Sequence, residues 1–283
     1  MMITMKAFQY LAPIAPFDYV RPNSVEELLN ALSQYGSKAK LIAGGTDLTI
    51  ALKERLIHPE VVIDLNHLRA NLSGIEVTKT SLKIGSMTTY TELELDPNVQ
   101  RYARALSEAA SQVGTYQIRN LGTIGANLAN GSPAADTAPP LIVLSANVNL
   151  QSKLGKRKVP IEKFFTGVKK TALGSDEILE AIVVPASSAG ARGAYRKLKR
   201  IAGHDLGIVG VALSRKDGLV KIGISSSAPT PILVEGLEEG DSVDKVAAAA
   251  REAISPISDV RCSKEYREFM VETFVKRLMR EVA

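Results

Sequence analysis

A single cysteine, Cys262, stands in a chain of 283 residues. Its isolation excludes an internal disulfide and any iron–sulfur cluster held by this chain alone, because such a cluster takes about four thiolates. Histidine is nearly as scarce: His58, His67 and His204 are too few and too scattered to suggest a zinc site. Long apolar runs are also missing. The longest, such as Leu141 to Leu144 and Ile208 to Leu213, fall far short of the roughly 18 residues that suggest a bilayer span. Met1 to Phe17 has no continuous apolar stretch and no small-residue cleavage pattern, so a cytoplasmic protein without a signal peptide or membrane span is expected.

What remains is ordinary globular composition, 45% hydrophobic and 23% charged, enough to bury a large core. The net charge of +5 raises the question of nucleic acid, but its distribution argues against one. Lys153, Lys156, Arg157 and Lys158 form one hairpin tip, and Arg196, Lys197, Lys199 and Arg200 lie in a strand-like run. With no tryptophan and aromatics at 5%, these runs read as solvated faces or a partner-binding surface.

The chain divides into three segments, 1–58, 59–184 and 185–283. In the first, Ser24 and Glu27 make a capping box, Val25, Leu28, Leu29 and Leu32 share one helical face, and Gly36 ends the helix. A strand, a glycine turn, a helix from about Thr46 and a second strand follow over Lys38 to Leu65, a small β-turn-α-β unit. The second segment has weak strands at Gly74 to Val77 and Ser81 to Gly85, and a helix around Asn98 to Val113. Beyond these comes a turn-rich stretch from Gly114 to Pro140, then further strands ending in the run from Asp176 to Pro185. The third is an antiparallel sheet with Lys216-Asp217-Gly218 as a hairpin turn. Two helices close it, and the last is expected to put Tyr266, Phe269, Met270, Phe274 and Leu278 on one face.

Two stretches could carry chemistry. In Leu41-Ile42-Ala43-Gly44-Gly45-Thr46-Asp47-Leu48, paired glycines between strand and helix let the backbone turn sharply and present N–H groups to an anion such as phosphate. The same turn also occurs for purely steric reasons. Neither the ordinary dinucleotide fingerprint nor the P-loop pattern is present. The second stretch runs from Gly114 through Thr123, Gly125 and Asn127 to Asp136. It combines close backbone approach with hydroxyl and amide donors and a carboxylate acceptor for a ribose or similar hydroxyl. Two glycine turns suggest two walls of one pocket, although Asp136 could instead cap a helix at Thr137.

Three motifs in order carry a resemblance: A-G-G-T-D-L, then Q-I-R-N-x-G-T-I-G-x-N-L-A-x-x-S-P-A-A-D, then A-Y-x-K with a later aspartate (Tyr195, Lys197, Asp205). Together they resemble the FAD-binding medium subunit of molybdenum hydroxylases, the family of carbon monoxide dehydrogenase, bacterial xanthine dehydrogenase and aldehyde oxidoreductase flavin subunits. The resemblance runs from Phe17-Asp18-Tyr19-Val20-Arg21-Pro22 to the helix with Tyr266-Arg267. It implies an α+β fold of the vanillyl-alcohol-oxidase (PCMH) type, with two α/β subdomains and a C-terminal antiparallel sheet plus helices. By resemblance, Leu41 to Leu48 would hold the FAD pyrophosphate through backbone N–H groups, with Thr123, Gly125 and Asn127 closing from the other side. Asp136 would accept a hydrogen bond from the adenosine part, and Val113, Gly114 and Leu179 would touch the cofactor. Tyr195 and Lys197 would approach the isoalloxazine ring, the lysine stabilising negative charge on the reduced flavin. Ala126 departs from the family, which usually has glycine there.

The resemblance also implies partners. A large subunit would carry molybdopterin and a small one two [2Fe-2S] clusters, the usual assembly being a dimer of heterotrimers, a heterohexamer. This chain would take electrons from the clusters and pass them to an external acceptor. Two other readings differ. A stand-alone flavin-dependent oxidoreductase of the same fold needs a general acid or base over the flavin, and the motifs supply none. A nucleotide- or nucleic-acid-binding module would use Arg196 to Arg200 and show salt-dependent polyanion binding without a flavin spectrum.

Overall fold

Ser24 opens the first helix by accepting the Glu27 amide, while the Glu27 carboxylate reaches back to the amide of Asn23 rather than of Ser24. The capping box is thus displaced by one residue on its return side. In the computed structural model, which describes residues 14–201 and 205–283, this helix belongs to a small parallel layer. Met1 to Pro13, most of the segment read for a leader, and His204 lie outside the described residues. β1 (Asp18–Val20), α1 (Val25–Tyr35), β2 (Ala39–Ile42), α2 (Leu48–Lys53) and β3 (Val61–Asp64) form a sheet in the order β1-β3-β2. All its pairings are parallel, as a β-α-β crossover requires. The central strand is β3, so the first unit runs past the expected boundary at residue 58: Val61 and Ile63 bury against Leu28 and Leu32 of α1.

The second unit begins with α3 (Arg69–Leu72), β4 (Ile75–Val77) and β5 (Ser81–Gly85). A chain of short helices follows: α4 (Tyr90–Leu95), α5 (Pro97–Tyr102), α6 (Arg104–Ser111), α7 (Tyr116–Leu121), α8 (Ile124–Ala129) and α9 (Ala138–Val143). The single helix expected over Asn98 to Val113 is broken at Ala103. The Tyr102 carbonyl accepts from the Gly190 amide, and the Leu106 amide turns to Ala103 instead. Beyond α9 come β6 (Asn147–Ser152), β7 (Gly155–Pro160), α10 (Ile161–Phe164), β8 (Phe165–Gly167), β9 (Lys170–Thr171) and β10 (Ile178–Pro185). The antiparallel sheet β4-β5-β10-β6-β7 backs the helices. Leu82, Ile84, Val148, Leu150 and Ile182 supply its buried side, packed with Leu106, Ile124, Leu128 and Leu141.

The C-terminal unit is a meander of β11 (Arg192–Leu198), β12 (Val209–Lys216), β13 (Leu219–Ser225) and β14 (Ile232–Glu238), covered by α11 (Val243–Glu252) and α12 (Lys264–Glu281). Asp217 and Gly218 both have positive φ, 53° and 80°, as the hairpin turn between β12 and β13 demands. Strand alternation gives this sheet two buried faces. Ala194, Val211 and Leu213 join the core under α11 and α12, whereas Tyr195 and Ala212 join the core of the second unit. α9 lies directly on the second face, where a Cβ on Gly223 would meet the Pro139 carbonyl oxygen at 2.4 Å. In α12 the buried stripe runs through Arg267, Met270, Val271, Phe274, Val275, Leu278 and Met279. Tyr266 and Phe269, expected on that face, are 47% and 60% exposed and stack on each other, because the stripe turns through Arg267 instead.

The β6–β7 hairpin is tied to the approach to β10 by a two-point contact, Arg157 Nε and Nη2 on Glu177 at 2.6 and 2.7 Å. That contact holds the Glu177 carboxyl below the usual carboxylate range. A depressed folded pKa gives stability that is present above the unfolded value, about 4.3, and is lost as pH falls through the folded one. Glu177→Gln is expected to cost about 1 kcal/mol at pH 7, limited by solvent on the Arg157 side. Urea unfolding should show that deficit shrinking as pH falls below about 4 and gone below the folded pKa of Glu177.

Candidate functional site

Tyr195 and Lys197 are two apart on β11 and therefore point to the same face, the one covered by the second unit. There they meet Asp136, the last residue of the turn before Thr137 and α9. The Lys197 ammonium donates to one Asp136 oxygen at 2.7 Å, and the Tyr195 hydroxyl donates to the other at 2.9 Å. The ammonium also donates to the Gln112 carbonyl at 3.2 Å, which joins the stretch at Val113 and Gly114 to the cluster. The lysine side chain is 2% exposed and the aspartate 10%. Burial pushes the Asp136 carboxyl up from its ordinary range, against the pull of Lys197, Tyr195 and Lys199. Burial and the Asp136 charge raise the Tyr195 phenol, so it stays protonated as a donor. Asp136 therefore does not cap α9; Thr137 opens that helix without a side-chain cap.

Two neighbours of this cluster gave little signal in the sequence. Gly210 lies beside the phenol: a Cβ there would stand 2.6 Å from the Tyr195 hydroxyl and 2.5 Å from Ser225 Oγ. An isolated glycine inside a strand is the cue for such a close approach. Gly207 lies over the ion pair, its Cβ position 3.4 Å from Lys197 Cε and 3.7 Å from Asp136 Oδ1. Asp205 stands apart and pairs with Arg200. The basic run is largely neutralised in the same way, Arg196 by Glu281 and Glu108 and Lys197 by Asp136.

The two glycine turns meet. Gly44 is pressed on the end of α7, where a Cβ would lie 1.8 Å from the Leu121 carbonyl oxygen, and the Asn130 amide donates to Asp47 at 2.8 Å. Gly45 has φ 70°, which favours glycine. Among the described residues the amides of Gly44, Gly45 and Thr46 make no hydrogen bond. Leu41 and Ile42 end β2, Ala43 continues into the turn, and Leu48 starts α2. The second turn is differently occupied. The Gly125 amide donates to Ser86 at 2.9 Å, and a Cβ there would strike Ser86, so this glycine serves packing. Thr123 caps α8, and Asn127 accepts from the Thr137 hydroxyl at 2.6 Å. Ala126 is exposed on the first turn of α8 without a positive φ. Tyr90, whose ring packs on Gly122, has its phenol pushed up by burial and by the charges of both Asp136 and Asp47. Leu179 is buried in the core at the β10 bulge and joins neither group.

Residues 15–187 match the model of the FAD binding domain in molybdopterin dehydrogenase, and residues 193–282 match the CO dehydrogenase flavoprotein C-terminal domain. The chain belongs to the FAD-binding subunits of molybdopterin dehydrogenases. It is 37% identical to the carbon monoxide dehydrogenase medium chain of Hydrogenophaga pseudoflava, over 93% of this chain and 96% of that one. It is 33% identical to the putative xanthine dehydrogenase FAD-binding subunit of Escherichia coli, over 93% and 94%. The solved Hydrogenophaga pseudoflava carbon monoxide dehydrogenase lacking the Mo-pyranopterin moiety superposes with a TM-score of 0.88 at 36% identity, covering 95% of this chain and 98% of that one. The family resemblance, the flavin fold and FAD as cofactor are thereby shown. Loop amides without a hydrogen-bond partner among the described residues are donors of the kind a dinucleotide with an anionic diphosphate takes.

Asp136 and Lys197, expected from separate motifs at different parts of the cofactor, are in direct contact. Removing one partner of a buried pair strands the other: Lys197→Met should cost about 3–5 kcal/mol at pH 7. With the lysine gone the Asp136 pKa rises further. The protonated form then favours the fold below that pKa, and the deficit should shrink as pH falls. The double variant Lys197→Met/Asp136→Asn should recover most of the loss, and thermal melts at several pH values check this.

Proposed function

We propose that this subunit receives electrons from the [2Fe-2S] clusters of a small partner subunit and passes them to an external acceptor, while a large molybdopterin subunit oxidises the substrate. The observation that carries this reading is a glycine turn whose Gly44–Thr46 amides make no hydrogen bond among the described residues, together with a buried Lys197–Asp136 pair, in a chain with one cysteine. The single thiol means that iron–sulfur clusters have to come from elsewhere. The relatives named as medium chains support large and small partner subunits, and the assembly in this reading is a dimer of heterotrimers. A cytoplasmic location completes the proposal. Among the described residues no helix is long and apolar enough to cross a membrane.

FAD, when bound, supplies reversible electron storage. The protein's part is to bind and to hold charge. The amides of the Leu41–Leu48 turn bind the diphosphate, and Thr123, Gly125 and Asn127 hold the opposing turn in place through Ser86 and Thr137. Lys197, oriented by Asp136, faces the ring end. Tyr195 keeps the carboxylate in place from its other oxygen. Val113 and Gly114 line this end next to Gln112, and Leu179 backs the fold from the core.

The chain, purified alone and with its two partner subunits, should show flavin absorption, and denaturation should release FAD rather than FMN. Adding reduced small subunit should bleach that absorption within turnover time. A colourless assembly that takes up no added FAD would overturn the site assignment, and a flavin that the small subunit cannot reduce would overturn the electron route.

A further inference from the structure

Arg267, in the first turn of α12, is 1% exposed inside the C-terminal core. A cation in that position is costly unless its surroundings compensate it. Its Nη1 donates to two backbone carbonyls, Ile208 and, at 2.9 Å, Ser226. Its Nη2 lies 2.9 Å from Asp259 Oδ1, but Nε and Nη2 make no well-directed hydrogen bond. Asp259 is shared: Arg261 binds its other oxygen at 2.7 Å and donates to the Gly207 carbonyl at 3.3 Å. Two guanidiniums on one carboxylate thus grip three backbone carbonyls, those of Gly207, Ile208 and Ser226. Core packing alone would use an apolar side chain here at lower cost.

Those three points are where the C-terminal unit meets the ion pair. Gly207 lies over Lys197 and Asp136, and the Ile208 amide donates to Leu198, the residue after the lysine. Ser226 donates its amide to Pro133 in the S-P-A-A-D stretch at 2.8 Å. It does so with φ 63° and with its own hydroxyl buried and unpartnered. A non-glycine residue persists in that conformation only when its surroundings over-determine it, and such strain gathers at functional sites. Arg267 is what holds the Ser226 carbonyl.

We infer that Arg267, through the carbonyls of Ile208 and Ser226, is a positioning residue that sets Gly207 and the S-P-A-A-D turn against Lys197 and Asp136 for flavin binding. This rests on the functional reading above. Arg267→Met, in whichever form of the full chain carries FAD in the wild type, should weaken FAD binding about tenfold or more and shift the flavin absorption bands. Arg267→Lys should restore part of both. Val275→Ala, a cavity in the same core away from these carbonyls, is the control: it should lower Tm and leave Kd and spectrum alone. Faster amide exchange at Gly207 and Ile208 in Arg267→Met, without any flavin present, is the second expected sign. If Arg267→Met does not fold, the half-buried Arg261→Gln decides, with weaker FAD binding supporting the inference. A folded variant, either one, that matches the wild type in Kd and spectrum overturns it. A wild type that binds no FAD sinks the functional reading and this inference with it, whereas unchanged variants of a wild type that binds FAD sink only this one.

Discussion

The ion pair between Lys197 and Asp136 is the constraint on which the arrangement of the C-terminal unit and the second unit depends. It joins residues 61 apart in sequence, one from the S-P-A-A-D turn and one from a strand of the last unit, in a place with almost no water. Such a pair gains little over a well-packed apolar contact but is expensive to break, so it specifies a docking geometry more than it adds stability. Everything near it is shaped to admit it. Gly210 leaves room for the phenol of Tyr195, Gly207 leaves room over the lysine, and Gly223 lets α9 come down onto the sheet.

The glycine turns show a related economy in a different form. Gly44 and Gly125 are both needed because backbone passes too close for a Cβ, but they do different things. At Gly125 the amide is used by Ser86, and the residue is a packing joint. At Gly44 the contact with Leu121 fixes the loop while its own and the next amides make no hydrogen bond among the described residues. Two glycine turns that look alike in the sequence thus differ in whether their amides are already used.

Local features were legible in the sequence because their causes are local. Ser24 and Glu27 marked a helix start, the paired glycines a strand-to-helix turn, and Asp217-Gly218 a hairpin. The three motifs in order were enough to give the family and its fold. What could not be read has its cause elsewhere in the chain. Ala103 breaks a helix because Gly190 takes the preceding carbonyl, and Tyr266 and Phe269 are displaced from the core by Arg267. The union of Asp136 with Tyr195 and Lys197 was equally hidden. Each residue was read from its own motif, and only the fold brings the three side chains together.

The two-faced burial of β11 has a consequence for how this chain can change. Successive residues serve different cores, Ala194 under the helices and Tyr195 against the second unit. Adding or deleting one residue within Arg192–Leu198 would exchange the faces, turning Lys197 away from Asp136 and sending Arg196 toward it. The length of this strand is therefore fixed as tightly as any side chain on it. A change in length should be tolerated instead in connections that no second core reads, such as the tip between β6 and β7, where Leu154 stands almost wholly in solvent.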